Sequence, residues 1–494
     1  MTQALPVALL ACAFIPAILC FFLGEKHAVW RNAVNIGSAV LKLALVVFLV
    51  MGVARGVVYE TRFEFVPGLY LLLRVDALAL LFVTLSAFLW LVTTIYAIAY
   101  FGRSPNLPRF FAFFNLCVTA TTGIALSGSL ISFFIFYELL TVSTWPLLVH
   151  KGDPTSMAAG RSYLAYTLGG SAALLFGIVW MEGMTGPVEF ATGAALGELT
   201  DWMLVAIFML CVGGLGVKAA LVPLHAWLPQ AMAAPAPVSA LLHAVAVVKA
   251  GAFGIVRFIY DVYGIERVAE LGLGVPLAVV ASFTILYGSV RALQQSDIKR
   301  RLAFSTVSQV SYIVLGASLA GPFAAIGGLA HLVHQGLMKI TLFFTAGVLA
   351  ERLGITTIQQ LDGAGRRMPI SMMAFTIGAL GMIGIPPVAG FVSKWYLGLG
   401  GLQAGQPWVI LVLAGSSLLN AAYFLPLLYR AWFLPPPPGG HAEAPGAARL
   451  EAPASLILPA AITALAALGA GLFAAVAFSP LGWATLIVER VYLP

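Results

Sequence analysis

Along the chain, apolar runs of roughly 20 residues follow one another almost without pause, separated by short stretches where polar residues, glycine and proline gather. A run of that length crosses about 30 Å of hydrocarbon as an α-helix. A window of about 19 residues predicts spans at 4–23, 34–54, 70–99, 110–127, 129–149, 161–181, 203–222, 236–261, 273–290, 302–319, 323–349, 370–391, 407–430 and 456–480. The fold expected is an all-α polytopic membrane protein of about 14 transmembrane helices. Segments alternating at period two, which an outer-membrane barrel needs, are not found. The first span has neither a basic residue ahead of it nor a small-residue cleavage site, so it reads as a retained helix. The longest connection, Pro435–Ala448, is proline- and glycine-rich and reads as a surface loop.

Bulk composition excludes the soluble alternative. Of 494 residues, 61% are apolar and 9% charged, with a mean hydropathy of +0.99, whereas a globular domain is about 25% charged. Cys12, Cys20, Cys117 and Cys211 stand singly inside apolar runs with no CxxC pair. Iron–sulfur clusters, structural zinc and a disulfide framework therefore have no basis, and no cofactor is expected.

Loop charges alternate in sign along the chain. One set holds Glu25, Lys26 and Arg31; Arg103 and Arg109; Lys151, Asp153 and Arg161; the run Arg291–Arg301; and Glu351, Arg352, Asp362, Arg366 and Arg367, each net positive. The other holds Glu182, Glu189, Glu198 and Asp201 without a base, and Asp261, Glu266 and Glu270 against Arg267. Arg55 and Arg62 also fall there, offset by Glu60 and Glu64. The basic excess predicts both chain ends outside the cytoplasm. It also accounts for the formal charge of +7 without nucleic acid.

Charges outside the loops carry the chemistry. Lys42, Lys218, Lys249, Lys339 and Lys394 fall inside or at the edge of apolar runs, as do Glu138 in FFIFYELLTVSTW and Asp76 in LLLRVDALALLF. Lys or Asp near a helix centre costs about 2.5–3.5 kcal/mol, so each needs a partner, a wet cavity or an escape to the interface. Lys249 and Glu138 lie too deep to escape, and Lys218 runs on into apolar sequence. Asp76 suits a helix end equally well, and Lys42 suits a purely structural role. Burial lowers a lysine's proton affinity and a nearby carboxylate restores it, so a row of such sites joined by water forms a proton path.

Two apolar runs are broken beside these lysines. In GGLGVKAALVPLHAWLP, Pro223 follows Lys218; in GMIGIPPVAGFVSKWY, Pro386 and Pro387 fall inside the twelfth span with Lys394 just past its end. A break frees carbonyls that only water or a polar group can satisfy. His225 follows the first break. His243 shares the eighth span with Lys249 but lies about 120° round the helix from it, while His331 and His334 share a face. HLVHQ lacks the further ligands a metal needs, so the histidines read as relay candidates between lysines, with core packing as the alternative. Breaks five spans apart predict inverted five-helix repeats, spans 4–8 against 9–13. The chain then divides into 1–109 (spans 1–3), 110–261 and 262–432 (the repeats), and 433–494 (linker and last span).

From Phe110 to Trp432 the chain resembles the proton-translocating, antiporter-like subunits of respiratory NADH:quinone oxidoreductase, membrane-bound hydrogenases and Mrp-type sodium/proton antiporters. FYELLTVSTWPL, GVKAALVPLHAWLPQAMAAPAPVSALLHA, DIKRRLAFSTVSQVSY and GIPPVAGFVSKW carry the likeness. The resemblance implies fourteen spans and inverted repeats. It makes Glu138 and Lys218 a partnered pair, Lys249 the central relay and Lys394 the terminal site. His225, His243, His331, His334 and Lys339 become candidates for a hydrated axis. Lys42 and Asp76 lie outside the matched region and receive no role.

The length and GFVSKWYLGLG look most like the D-type subunit of Mrp-type antiporters. That implies a proton-translocating subunit of a multisubunit Na+/H+ antiporter in a bacterial or archaeal cytoplasmic membrane, surrounded by lipid and other membrane subunits. A proton-pumping subunit of a quinone-linked or hydrogenase complex is the alternative. No bond chemistry is expected in this chain.

Overall fold

The computed structural model describes residues 3–102, 104–191, 196–197, 199–436 and 451–492. Arg103, Glu198 and most of the 435–448 loop, all named above, lie outside the described residues. Apolar sequence with few internal breaks folds as helix nearly everywhere, and among the described residues 12 helices are long and apolar enough to cross a membrane. Ile298–Ser318 has the length but opens on Lys299, Arg300 and Arg301. The twelfth predicted span is divided into Pro369–Ile383 and Ala389–Gln403, each of 15 residues and too short to cross alone. Polar side chains start several helices by accepting from exposed N–H groups: Asp76 from Ala79, Ser129 from Ser132, Asp153 from Ser156 and Asp297 from Arg300.

Three sequence expectations are corrected. The span placed at 70–99 begins only at Ala77, because Leu69–Val75 pairs as an antiparallel strand with Tyr59–Val66. Its apolar leucines back onto the helix bundle, and Gly68 at φ 82 makes the tight turn after Pro67. The chain is therefore helical apart from one hairpin and isolated bridges among the described residues. Second, Lys394 is not past the end of a helix; it lies in the second turn of Ala389–Gln403. Third, the eighth span is interrupted as well. Ala236–Ala244 gives way at Val245 and Ala246 to Val247–Arg257, with both Val245 and Ala246 N–H groups donating to the Leu241 carbonyl.

Polar contacts between connections gather into two groups. Glu25 accepts from the Leu107 N–H, Lys299 reaches the Met232 and Ala234 carbonyls, and Asp362 pairs with Arg430. On the hairpin face, Arg74 pairs with Glu60 and Glu189, Arg62 with Glu189, and Arg267 with Asp201. These pairs neutralise the hairpin's arginines, which explains why Arg62 departs from the sign of its loop set. Gln3 and Tyr492 both contact residues of this face, so the described ends lie on the same side of the bundle.

At the centre stand the helices Pro322–Leu353 and Ala236–Tyr263, each wholly surrounded by protein along its apolar stretch. Close approach to them relies on glycine. A Cβ on Gly251 would lie 2.3 Å from the Ala219 nitrogen and 2.8 Å from the Lys218 carbonyl carbon, so only glycine lets the Lys249 helix touch the end of the Lys218 helix.

Candidate functional site

Lys218, Lys249, Lys339 and Lys394 each reach a backbone carbonyl. Lys218, the last residue of Asp201–Lys218, donates to the Tyr137 carbonyl and sits over that tyrosine's ring, 3.2 Å from its centroid. Beyond it the chain turns through Ala219–Ala226 around Pro223. The Val222 N–H is taken up by Thr284, and the Val217 carbonyl by the Trp227 indole at 2.8 Å. Lys249, in the first turn after the eighth-span break, donates to the Leu332 carbonyl at 2.6 Å. Lys339 reaches Ser305 and, at 3.3 Å, the Leu302 carbonyl.

Lys394 caps the helix that ends before it. The last carbonyls of a helix have no intrahelical donor and carry negative partial charge. The ammonium takes two of them, Met382 at 3.1 Å and Ile383 at 2.8 Å, and gives its third bond to Ser417 at 3.0 Å. The Tyr312 ring lies 5.4 Å away. Lys394 and Ser417 form the polar wall of a cavity of about 510 Å³ otherwise lined by apolar side chains such as Phe391, Leu402 and Ile410.

Glu138 is half-buried and accepts from Ser171, a residue that its sequence context does not single out. It forms no direct ion pair with Lys218 among the described residues; the two meet through adjoining residues of one helix, since Lys218 rests on Tyr137.

The histidines line the interval between lysines. His331 bonds Ser393 at 2.8 Å, one residue before Lys394. His334 and His243 are fully buried, and neither ring nitrogen of either has a partner. Gln335 is unpartnered at both ends of its amide, as are Oε1 of Gln309 and Nε2 of His331. His225 lies apart from this group, edge-on to Tyr287, with Nδ1 unpartnered. Buried polar atoms are almost always satisfied by protein or ordered water. Lys249 has one acceptor for three N–H donors, so the polar interval from Lys249 to His331 calls for water.

Contacts therefore link the principal sites at one level. Lys218 adjoins Gly251 on the Lys249 helix, Lys249 bonds Leu332, and the neighbouring His331 bonds Ser393 beside Lys394. Missed in sequence were Ser305, Gln309 and Tyr312, whose spacing on one helical face was the available signal. Asp76 is a helix cap whose carboxylate also receives both bonds from one Arg257 nitrogen, at 2.8 and 2.7 Å. Lys42 is fully buried on Thr122 at 2.6 Å.

A helical bundle with broken helices and buried lysines at its centre defines a class of ion-translocating membrane subunits. Residues 127–420 match the family described as NADH:quinone oxidoreductase/Mrp antiporter, TM, and the chain belongs to that family. It is 38% identical over 412 residues to NADH-quinone oxidoreductase subunit N of Desulforudis audaxviator, covering 81% of this chain and 82% of that one. It is 30% identical to hydrogenase-4 component B of Escherichia coli, over 83% of this chain and 64% of the relative. Against the A/B subunit of a probable K(+)/H(+) antiporter of Rhizobium meliloti, identity is 34% over 71% of this chain but only 36% of that longer protein. Among solved structures, a chain of the Mrp complex from Dietzia sp. superposes with a TM-score of 0.85 at 26% identity, covering 99% of both. A chain of the archaeal membrane-bound sulfane sulfur reductase gives a TM-score of 0.88 at 23% identity, over 99% of this chain and 98% of that one, a likeness of fold.

Proposed function

We propose that the chain is a proton-translocating subunit of a multisubunit monovalent cation/proton antiporter, moving protons along Glu138, Lys218, Lys249 and Lys394, with His243, His331, His334 and Lys339 serving the hydrated interval between them. The observation that carries this is the run of buried, unpartnered His243, His334 and Gln335 atoms between lysines held on carbonyls. Such groups persist in an apolar interior only where water completes them, and water joining titratable groups conducts protons. His225 belongs to the break at Pro223 and serves as a side relay.

On this reading the chain crosses the membrane fourteen times, counting Ile298–Ser318 and the divided twelfth span with the 12 apolar helices. The division at 1–109, 110–261, 262–432 and 433–494 goes with it. Support for inverted repeats comes from the two breaks: Lys218 lies over Tyr137, Lys394 over Tyr312, and each tyrosine belongs to the helix two spans earlier. The basic loop set faces the cytoplasm of a bacterial or archaeal cell, which puts both ends outside.

The test is proton flux in vesicles holding the whole complex. Lys249→Met is expected to abolish flux with subunit stoichiometry unchanged; flux at the unsubstituted level would remove the central line from the mechanism. The coverage of the oxidoreductase relative, 82% against 36% for the long antiporter relative, supports the second reading, a proton-pumping subunit of a quinone-linked complex. Co-purification separates them: small multispan partners indicate the antiporter, iron–sulfur proteins the redox pump.

A further inference from the structure

A second row of buried polar groups lies outside the family region. On the helix Ala28–Ala54 the buried positions are Arg31, Asn35, Ala39, Lys42, Val46 and Leu49, a single stripe of helical period. The stripe carries its polar residues, Arg31, Asn35 and Lys42, in the half nearer Glu25, with Ala39 among them, and is apolar beyond Lys42. Eleven residues separate Arg31 from Lys42, about 16 Å of rise, or roughly half of a 30 Å membrane.

Across the stripe stands the helix Leu107–Leu126. Asn115 donates to Asn35 at 2.6 Å, Asn35 donates to the Arg31 carbonyl at 2.7 Å, and Lys42 donates to Thr122. The contacts leave much unsatisfied. Nε and Nη1 of Arg31 and Oδ1 of Asn115 are buried without a hydrogen bond, and the Lys42 ammonium uses one of three donors, with the Trp90 ring 5.2 Å away. No carboxylate pairs with Lys42 among the described residues. Arg31 has Glu25 at 3.8 Å, so the outer end is not a bare positive barrier.

We infer that this seam is a water-filled half-channel for protons, a second inlet that opens at Glu25 and ends on Lys42. Water completes the orphaned Arg31 and Asn115 atoms, and Lys42 is the titratable terminus, closed off from the opposite face by Val46 and Leu49. The helix Ala77–Phe101 joins it to the central line. Ser86, Trp90 and Thr94 follow one face of that helix, each with an unpartnered buried polar atom, and the helix packs on Pro322–Leu353, where Tyr96 bonds the Phe344 carbonyl at 3.0 Å. The inlet rests on the central line being a proton path; the hydration of the seam does not.

Two native thiols gauge the depth. Cys20 bonds Asn35, and in the antiparallel first helix Cys12 lies eight residues deeper, level with Lys42. With Cys117 and Cys211 replaced by serine and alanine, silver ion, which binds thiolates only where water reaches, is added to the complex in oriented vesicles. Protection of each cysteine from later alkylation is then read by peptide mass. Silver from the Glu25 face should protect Cys20 and Cys12, and Asn35→Leu should abolish protection of Cys12. Lys42→Met should cut flux at least tenfold with assembly intact, and Lys42→Arg should not restore it, because a guanidinium keeps its proton.

An unprotected Cys12, while Lys249→Met still abolishes flux, would overturn the half-channel and leave the central line standing. Protection from both faces equally would overturn the closed end. Unchanged flux in Lys42→Met, or full recovery in Lys42→Arg, would reduce Lys42 to a structural cation.

Discussion

At the scale of single residues, the four central lysines share one device: an ammonium held by backbone carbonyls in place of a carboxylate. Carbonyl dipoles stabilise the charge without binding it as tightly as an ion pair, which suits the exchangeable proton that the proposed role requires. Glu138 lies to the side, across Tyr137, where its carboxylate accepts from Ser171. Glu138→Gln and Lys218→Ala are expected to stop proton transfer with the complex still assembled, checked by flux and subunit stoichiometry together; collapse of assembly in both would mark a structural contact. Lys394→Ala should cut flux strongly, and Lys394→Glu should preserve part of it, because an acidic group can carry a proton in the same cavity. With cysteine at 394 in a cysteine-free background, an impermeant thiol reagent should react from the exterior. This follows from both chain ends lying outside, which makes the twelfth span run outward and puts Lys394 on its outer half; labelling only from the cytoplasm would reverse that orientation.

Among elements, the breaks matter more than the helices. Pro223 and the Pro386–Pro387 pair were legible in sequence because proline cannot complete a helical ladder. The break at Val245–Ala246 was not, because HAVAVVKAG contains no proline and its only glycine comes later; the helix opens where it packs against Pro322–Leu353. Gly336 on the central helix comes within 3.1 Å of the Ala244 carbonyl, measured from where its Cβ would stand. The hairpin was missed for the converse reason, since Leu71, Leu72 and Leu73 read as membrane sequence. Gly251 gives the clearest test. Gly251→Leu should force the Lys218 and Lys249 helices apart and lower the melting temperature of the purified complex by several degrees, as overpacking costs about 1–3 kcal/mol. An unchanged melting temperature and flux would show that the two helices need not touch.

For the molecule as a whole, sequence conveyed the membrane class and most charged positions, but not which of them meet, because the contacts of Lys218 and Lys249 join segments more than 80 residues apart. Nearly all of the described chain lies in helices and their short connections, leaving no module to supply energy. The isolated chain in sodium-loaded vesicles should therefore show neither sodium-dependent proton exchange nor the complex's rate; robust exchange by the chain alone would make the partners dispensable. The direction in which the central line runs decides its electrical behaviour. Lys249, His331, Ser393 and Lys394 are linked at one level of the 32-residue helix Pro322–Leu353, its tenth and eleventh residues, so transfer among them runs across that helix, along the membrane plane. Moving a charge through the full membrane potential involves about 2.3 kcal/mol per 100 mV, but sideways movement crosses almost none of it. Voltage should thus act on the steps that load and unload the line and leave the relay between lysines electrically silent.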